Sequence, residues 1–121
     1  MIINVSAVVF AVRALPEVFP REAKACQGQT SVIKCHYIEH SPLPVDEVVS
    51  WYSESNGILA QEGTLLEGID KNKYAVADNG TWTILTIYNV TFNDAGLYAC
   101  RTVNGNRPTS RLLVGNCQTF Y

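Results

Sequence analysis

The chain has 121 residues, 47% of them hydrophobic and 17% charged, with a formal net charge of −2. That length suits one domain with a real core, and the composition excludes a disordered chain. No basic stripe is present to neutralise phosphates, which argues against nucleic acid as a partner.

Residues 1–14 form a short apolar run ending in small residues, with Val12 and Ala14 spaced like a signal-peptidase site. No Lys or Arg precedes the run. The competing reading is an extra N-terminal strand with Ile3, Val5, Ala7 and Val9 on one face. The run is too short to span a membrane as a helix. The domain proper is expected over residues 15–121.

Pro16 and Pro20 bracket Glu17-Val18-Phe19, and proline suits an edge strand because it lacks an N–H. After a turn at Gln27-Gly28-Gln29, residues 31–37 alternate. Ile33, Cys35 and Tyr37 are expected inward, and Val32, Lys34 and His36 outward. Residues 38–47 carry Pro42 and Pro44 and read as an exposed loop. Residues 48–52 are predicted to form a strand with Val49 and Trp51 buried, and residues 58–60 a further one after the Ser55-Asn56-Gly57 turn. The polar, glycine-containing stretch 61–70 gives no clear assignment.

Residues 73–77 fit another strand. Asn79-Gly80 then signals a hairpin, since this pair adopts positive φ at little cost. The strand that follows places Leu85 and Ile87 on one face. A corner at Asn93-Asp94-Ala95-Gly96 leads into a strand reaching Val103, Asn104-Gly105 signals a second hairpin, and residues 111–114 close the series. Short strands at regular spacing, with no sustained helical period, indicate an all-β sandwich.

Catalytic signals are few. His36 and His40 are four apart on a strand and a proline-rich loop, which is not the face of a helix, and a zinc site needs further ligands. There is no C-x-x-C pair, no G-x-S-x-G and no phosphate-cradling glycine loop. Asp46-Glu47 reads as solvated charge. The chain is expected to be no enzyme, and to need no cofactor and no metal. Four cysteines and three N-glycosylation sequons, at Asn4, Asn79 and Asn89, favour an oxidising, extracellular setting.

The segment Asp94-Ala95-Gly96-Leu97-Tyr98-Ala99-Cys100 has the form D-x-G-x-Y-x-C, with Cys35 far upstream and Trp51 between. A Cys…Trp…Tyr-x-Cys series of this kind resembles the immunoglobulin superfamily, over roughly residues 15–117. The resemblance implies an all-β, immunoglobulin-like two-sheet Greek-key sandwich of the V/I-set type. It implies a Cys35–Cys100 bridge covered by Trp51, and a Tyr98 hydroxyl bonded back onto the turn before its strand. It also implies a pairing of Lys73 with Asp94, the alternative being two separate surface charges. Cys26 sits just before the strand at residues 31–37 and Cys117 just after the last strand, and the first and last strands often run side by side in this fold. They are expected either to form a second bridge or to be free or intermolecular thiols.

Locally, Leu85-Thr86-Ile87-Tyr88-Asn89 with Asp94-Ala95-Gly96 looks like the first domain of neural cell-adhesion molecules. Trp51-Tyr52-Ser53 with Gly96-Leu97-Tyr98-Ala99-Cys100 looks like interleukin-1 receptor-type ectodomains. The family implies a recognition module of an adhesion molecule or receptor that binds protein, homophilically or heterophilically, with a homodimer among the arrangements. Its rivals are a secreted soluble binder and an intracellular structural module. Nothing in the sequence marks direct membrane insertion. If Trp51, Tyr98 and Cys100 face inward, then Tyr52, Leu97, Ala99, Arg101 and Val103 face outward, and this face is the expected partner surface.

Overall fold

The computed structural model describes residues 17–36, 49–79, 81–102 and 107–117. The expectations for residues 1–14 (with Asn4), for Tyr37, for the 38–47 loop, for Val103 and for the Asn104-Gly105 hairpin lie outside these residues.

Two sheets face each other. One holds four strands in the order β1-β3-β8-β7, where β1 is Glu17–Phe19, β3 Ser31–His36, β7 Tyr74–Asp78 and β8 Trp82–Ile87. The other holds six in the order β2-β10-β9-β4-β5-β6. Here β2 is Glu22–Cys26, β4 Val49–Ser53, β5 Gly57–Gln61, β6 Thr64–Leu65, β9 Gly96–Thr102 and β10 Thr109–Gly115. Among the described residues all pairings are antiparallel except β2 with β10, which is parallel.

Alternation drives the packing. In β3 the pattern buries Ile33 and Cys35 and turns Val32 and Lys34 out. In β8, Thr83, Leu85 and Ile87 go inward, and in β4 Val49, Trp51 and Ser53 do. The interior joins Ile33, Leu85 and Ile87 of one sheet to Trp51, Leu59, Tyr98 and Leu112 of the other. Burying side chains of this size contributes about 1.5–3 kcal/mol each.

The short N-terminal strands close one side of both sheets. β1 pairs with β3, the chain crosses at Pro20, whose peptide with Phe19 is cis, and β2 pairs with β10. The fully buried Ser110 donates its hydroxyl to the Pro20 carbonyl at 2.6 Å, which satisfies a backbone group at the crossing.

Two elements go beyond the sequence reading. β2 spells Glu-Ala-Lys-Ala-Cys, poor in β-branched residues, yet its alanines are buried and its charges exposed. That alternation was the available signal. β6 follows a two-residue turn in which Glu62 and Gly63 both have positive φ, 52° and 79°. Such a turn matches the twist of a hairpin, so Gln61 pairs with Thr64 without the usual Asn-Gly.

Candidate functional site: the outer face of the six-stranded sheet

The geometry begins on the inside. Cys35 and Cys100, both fully buried, are bridged across the sheets with Cα atoms 6.2 Å apart. Trp51 is the register partner of Cys100, and its indole N–H donates to the Thr83 hydroxyl at 3.0 Å. Thr83 is in turn the partner of Cys35. The buried indole N–H is therefore satisfied across the interface by a residue that sequence reasoning did not single out. Its signal was a hydroxyl at an inward position of β8.

The corner before β9 is held by one carboxylate oxygen. Asp94 Oδ2 accepts from Lys73 Nζ at 2.6 Å and from the Thr91 N–H at 2.7 Å. Lys73 Nζ also donates to the Asn89 carbonyl at 3.0 Å. Asp94 is buried, so the pair is a partly buried one rather than two surface charges. The Tyr98 hydroxyl donates to the Asp94 carbonyl at 2.6 Å. Burial pushes the Tyr98 phenol well above the ordinary tyrosine range, with Tyr74 and the Asp94 carboxylate adding to it. Tyr74 is raised too, chiefly by burial, although a donated hydrogen bond from Asn56 acts in the opposite direction.

With Trp51, Tyr98 and Cys100 fixed inward, alternate residues of β4 and β9 turn outward. Tyr52 is half-buried, and the Arg101 guanidinium stands over its ring, 4.9 Å from the centroid. Leu97 is also half-buried. Its backbone is pinned at the end of the strand, the N–H donating to Glu54 Oε1 at 3.1 Å and the carbonyl accepting the Glu54 N–H at 2.9 Å.

Ala99 departs from expectation: it is 6% exposed and offers no partner surface. It lies opposite Tyr52 on one side and Thr109 on the other. A single methyl between two larger neighbours on a central strand is overtopped by them. Tyr52, Leu97 and Arg101 thus share the face, while Ala99 forms its floor.

Beside Leu97 the face runs into a groove of about 620 Å³ that the sequence did not reveal. Arg21, Arg107 and Arg111 line it together with Glu17 and Glu22. Arg111 is the register partner of both Leu97 and Glu22, so an acid, a base and an apolar side chain stand in one row across three strands. The three arginines are exposed, and none makes an ion pair among the described residues.

Cys26 and Cys117 form the second bridge, with Cα atoms 5.3 Å apart, tying β2 to the residues after β10. No cysteine is free. Among the described residues no group of His, Cys, Asp and Glu is arranged to hold a metal ion, and no helix is long and apolar enough to cross a membrane.

Two sheets joined by a buried disulfide under a tryptophan, with a tyrosine bonded to its corner, define an immunoglobulin-like sandwich. The sequence matches the immunoglobulin V-set domain over residues 18–114, and the chain belongs to that family. A comparison with curated proteins gives no significant match. V-set domains are generally extracellular recognition modules, typically non-enzymatic, and commonly mediate protein–protein interactions.

Proposed function

We propose that this domain is the recognition module of a cell-surface adhesion molecule or receptor, binding a protein partner through the outer face of the six-stranded sheet. A secreted soluble binder would use the same face. The observation that carries the reading is the Tyr52–Arg101 stack, continuous through Leu97 with the arginine-lined groove. Tyrosine and arginine dominate binding energy at protein interfaces because they combine apolar area with directed polar groups. The groove arginines, which make no ion pair among the described residues, also suit the carboxylates of an acidic partner surface, and charge of this kind acts mainly on association rate and specificity.

The N-terminal segment 1–14 is then a secretion signal, and Asn79 and Asn89 are glycan acceptors. Both asparagines belong to the four-stranded sheet side and leave the proposed face open.

The test compares wild type with a Tyr52→Ala/Arg101→Glu variant, both with intact disulfides. Sedimentation reads self-association, and a multivalent form of the domain reads binding to a panel of animal cells. Loss of either activity, with a steep dependence on salt, supports the reading. Self-association and cell binding both unchanged would place the site elsewhere.

A further inference from the structure

The outer face of the four-stranded sheet carries an aromatic cluster. Trp82 stands between His36, with ring centroids 4.4 Å apart, and Phe19, with centroids 5.8 Å apart. Trp82 faces outward because its neighbour Thr83 is buried and strand residues alternate. Phe19 remains 44% exposed, and Val32, farther along the same face, 42%. Open aromatic surface of this kind on an extracellular domain marks a contact site or an aggregation hazard.

Asn79 sits directly across the hairpin from Trp82. The pairing of Asp78 with Thr83 continues into it: the Asn79 N–H donates to the Trp82 carbonyl at 3.0 Å, and the Trp82 N–H donates to Asn79 Oδ1 at 2.8 Å. Residues opposite each other in an antiparallel pair share a face, with Cβ atoms about 5 Å apart. Asn79 Oδ1 also accepts from the Thr81 N–H at 3.0 Å and the Thr81 hydroxyl at 3.2 Å. The carbonyl half of the amide is thus engaged by the turn. The nitrogen half makes no hydrogen bond among the described residues, and Asn79 is exposed. Asn79-Gly80-Thr81 is an acceptor sequence for N-glycosylation.

We propose that Asn79 carries an N-linked glycan whose first N-acetylglucosamine lies against Trp82, Phe19 and His36, so that the glycan covers the aromatic cluster. This rests on the extracellular reading above. In the attachment step Nδ2 forms a bond to the anomeric carbon of an oligosaccharide carried on a polyprenyl diphosphate. The bond from that carbon to the diphosphate oxygen breaks, Nδ2 loses one proton, and the polyprenyl diphosphate leaves; nothing is oxidised or reduced. Only Nδ2 is substituted, so all three hydrogen bonds to Oδ1 survive. The sugar's apolar face then meets an aromatic surface that is otherwise in water. Asn89 provides an internal comparison: the hydroxyl of its sequon threonine, Thr91, is turned toward the Asp94 carboxylate at 3.3 Å.

The full chain is to be secreted from animal cells behind a secretion leader. Peptide mapping after enzymatic deglycosylation in heavy-oxygen water then reads occupancy at each asparagine. Occupied Asn79 is expected, with contacts in NMR spectra between the Trp82 indole protons and the first sugar. Removing the glycan is expected to lower the melting temperature by about 3 °C in the wild type, and to have no effect in Trp82→Ala. If Trp82→Ala does not fold, the indole–sugar contacts decide alone. Occupied Asn89 with empty Asn79 overturns the proposal and leaves the extracellular reading intact. Both asparagines empty, with the cysteines free and alkylated without prior reduction, overturns the two together. Occupied Asn79 without indole–sugar contacts rejects the cover.

Discussion

Trp51 and Tyr52 are neighbours in one strand and live in opposite conditions. Trp51 is 1% exposed, packs beside the Cys35–Cys100 bridge and has its N–H bonded across the sheets. Tyr52 is half-exposed and carries the Arg101 guanidinium over its ring. The inward residue is held by contacts from both sheets, so replacing it disturbs the fold. The outward residue is held by neighbours within its own sheet, Ala99, Ile58 and Arg101, so replacing it changes what the face can bind. A β-sandwich keeps these two roles apart by alternation alone.

The sharpest way to break the inner side is to remove its bridge. The Cys35–Cys100 loop spans 65 residues. Replacing both cysteines with alanine is expected to lower stability by about 4 kcal/mol on the chain-entropy account, read by denaturant titration. Opening the Cys26–Cys117 bridge, which spans 91 residues, is expected to cost less, about 2–3 kcal/mol, because the inner bridge already restrains the unfolded chain. Equal losses would mean that the two bridges are not nested in effect. Lys73→Ala comes next. It leaves a buried carboxylate with only the N–H and hydroxyl of Thr91 as donors, and a loss of about 2 kcal/mol is expected, below the range for fully buried pairs because Lys73 is partly exposed.

The inner side was also the more legible one. Cysteines, tryptophan and the corner motif announce themselves because few residue types can do those tasks, and two-residue periodicity assigned Ile33, Leu85 and Ile87 to the interior. The role of Thr83 is not legible in the sequence, because a threonine at an inward position is ambiguous until its partner is known. The arginine groove was invisible for a different reason. Arg21 and Arg111 are far apart in sequence and meet only because β2 lies parallel to β10, and a parallel pairing leaves no hairpin signal between its strands. Ala99 is covered at an outward position because alternation gives a direction and not an exposure; small side chains on central strands are shaded by their neighbours.

Tyr98 offers a test that pH can turn. Its phenol, like that of Tyr74, is held protonated in the fold above the pKa of about 10 expected for an unfolded chain. Below that pH the two states bind the same tyrosine protons and this contribution is fully present. As pH rises past about 10 the unfolded chain loses protons that the folded chain keeps, and stability falls. Thermal melts from pH 8 to 11 are therefore expected to show a declining melting temperature. Tyr98→Phe is expected to cost about 1 kcal/mol at neutral pH, through the lost bond to the Asp94 carbonyl, and to flatten the alkaline decline. A decline of the same steepness in the variant would assign it to Tyr74 or to general charge repulsion.

The smallest stability effect belongs to the outer face, and there it is the informative result. The Arg101 guanidinium over the Tyr52 ring is half-exposed, and a contact of that kind is worth about 0.5–1 kcal/mol. Arg101→Ala is therefore expected to shift the unfolding midpoint only slightly, and Arg111→Ala, with no ion pair to lose among the described residues, hardly at all. If the face binds an acidic partner, these two changes nonetheless weaken association at low salt, by roughly tenfold for each buried contact removed. The loss should shrink as salt screens the charges. An Arg101→Ala variant that loses 2 kcal/mol of stability would instead make the stack part of the fold. A salt-independent loss of binding would move the argument from the guanidinium groups to the apolar area of Tyr52 and Leu97.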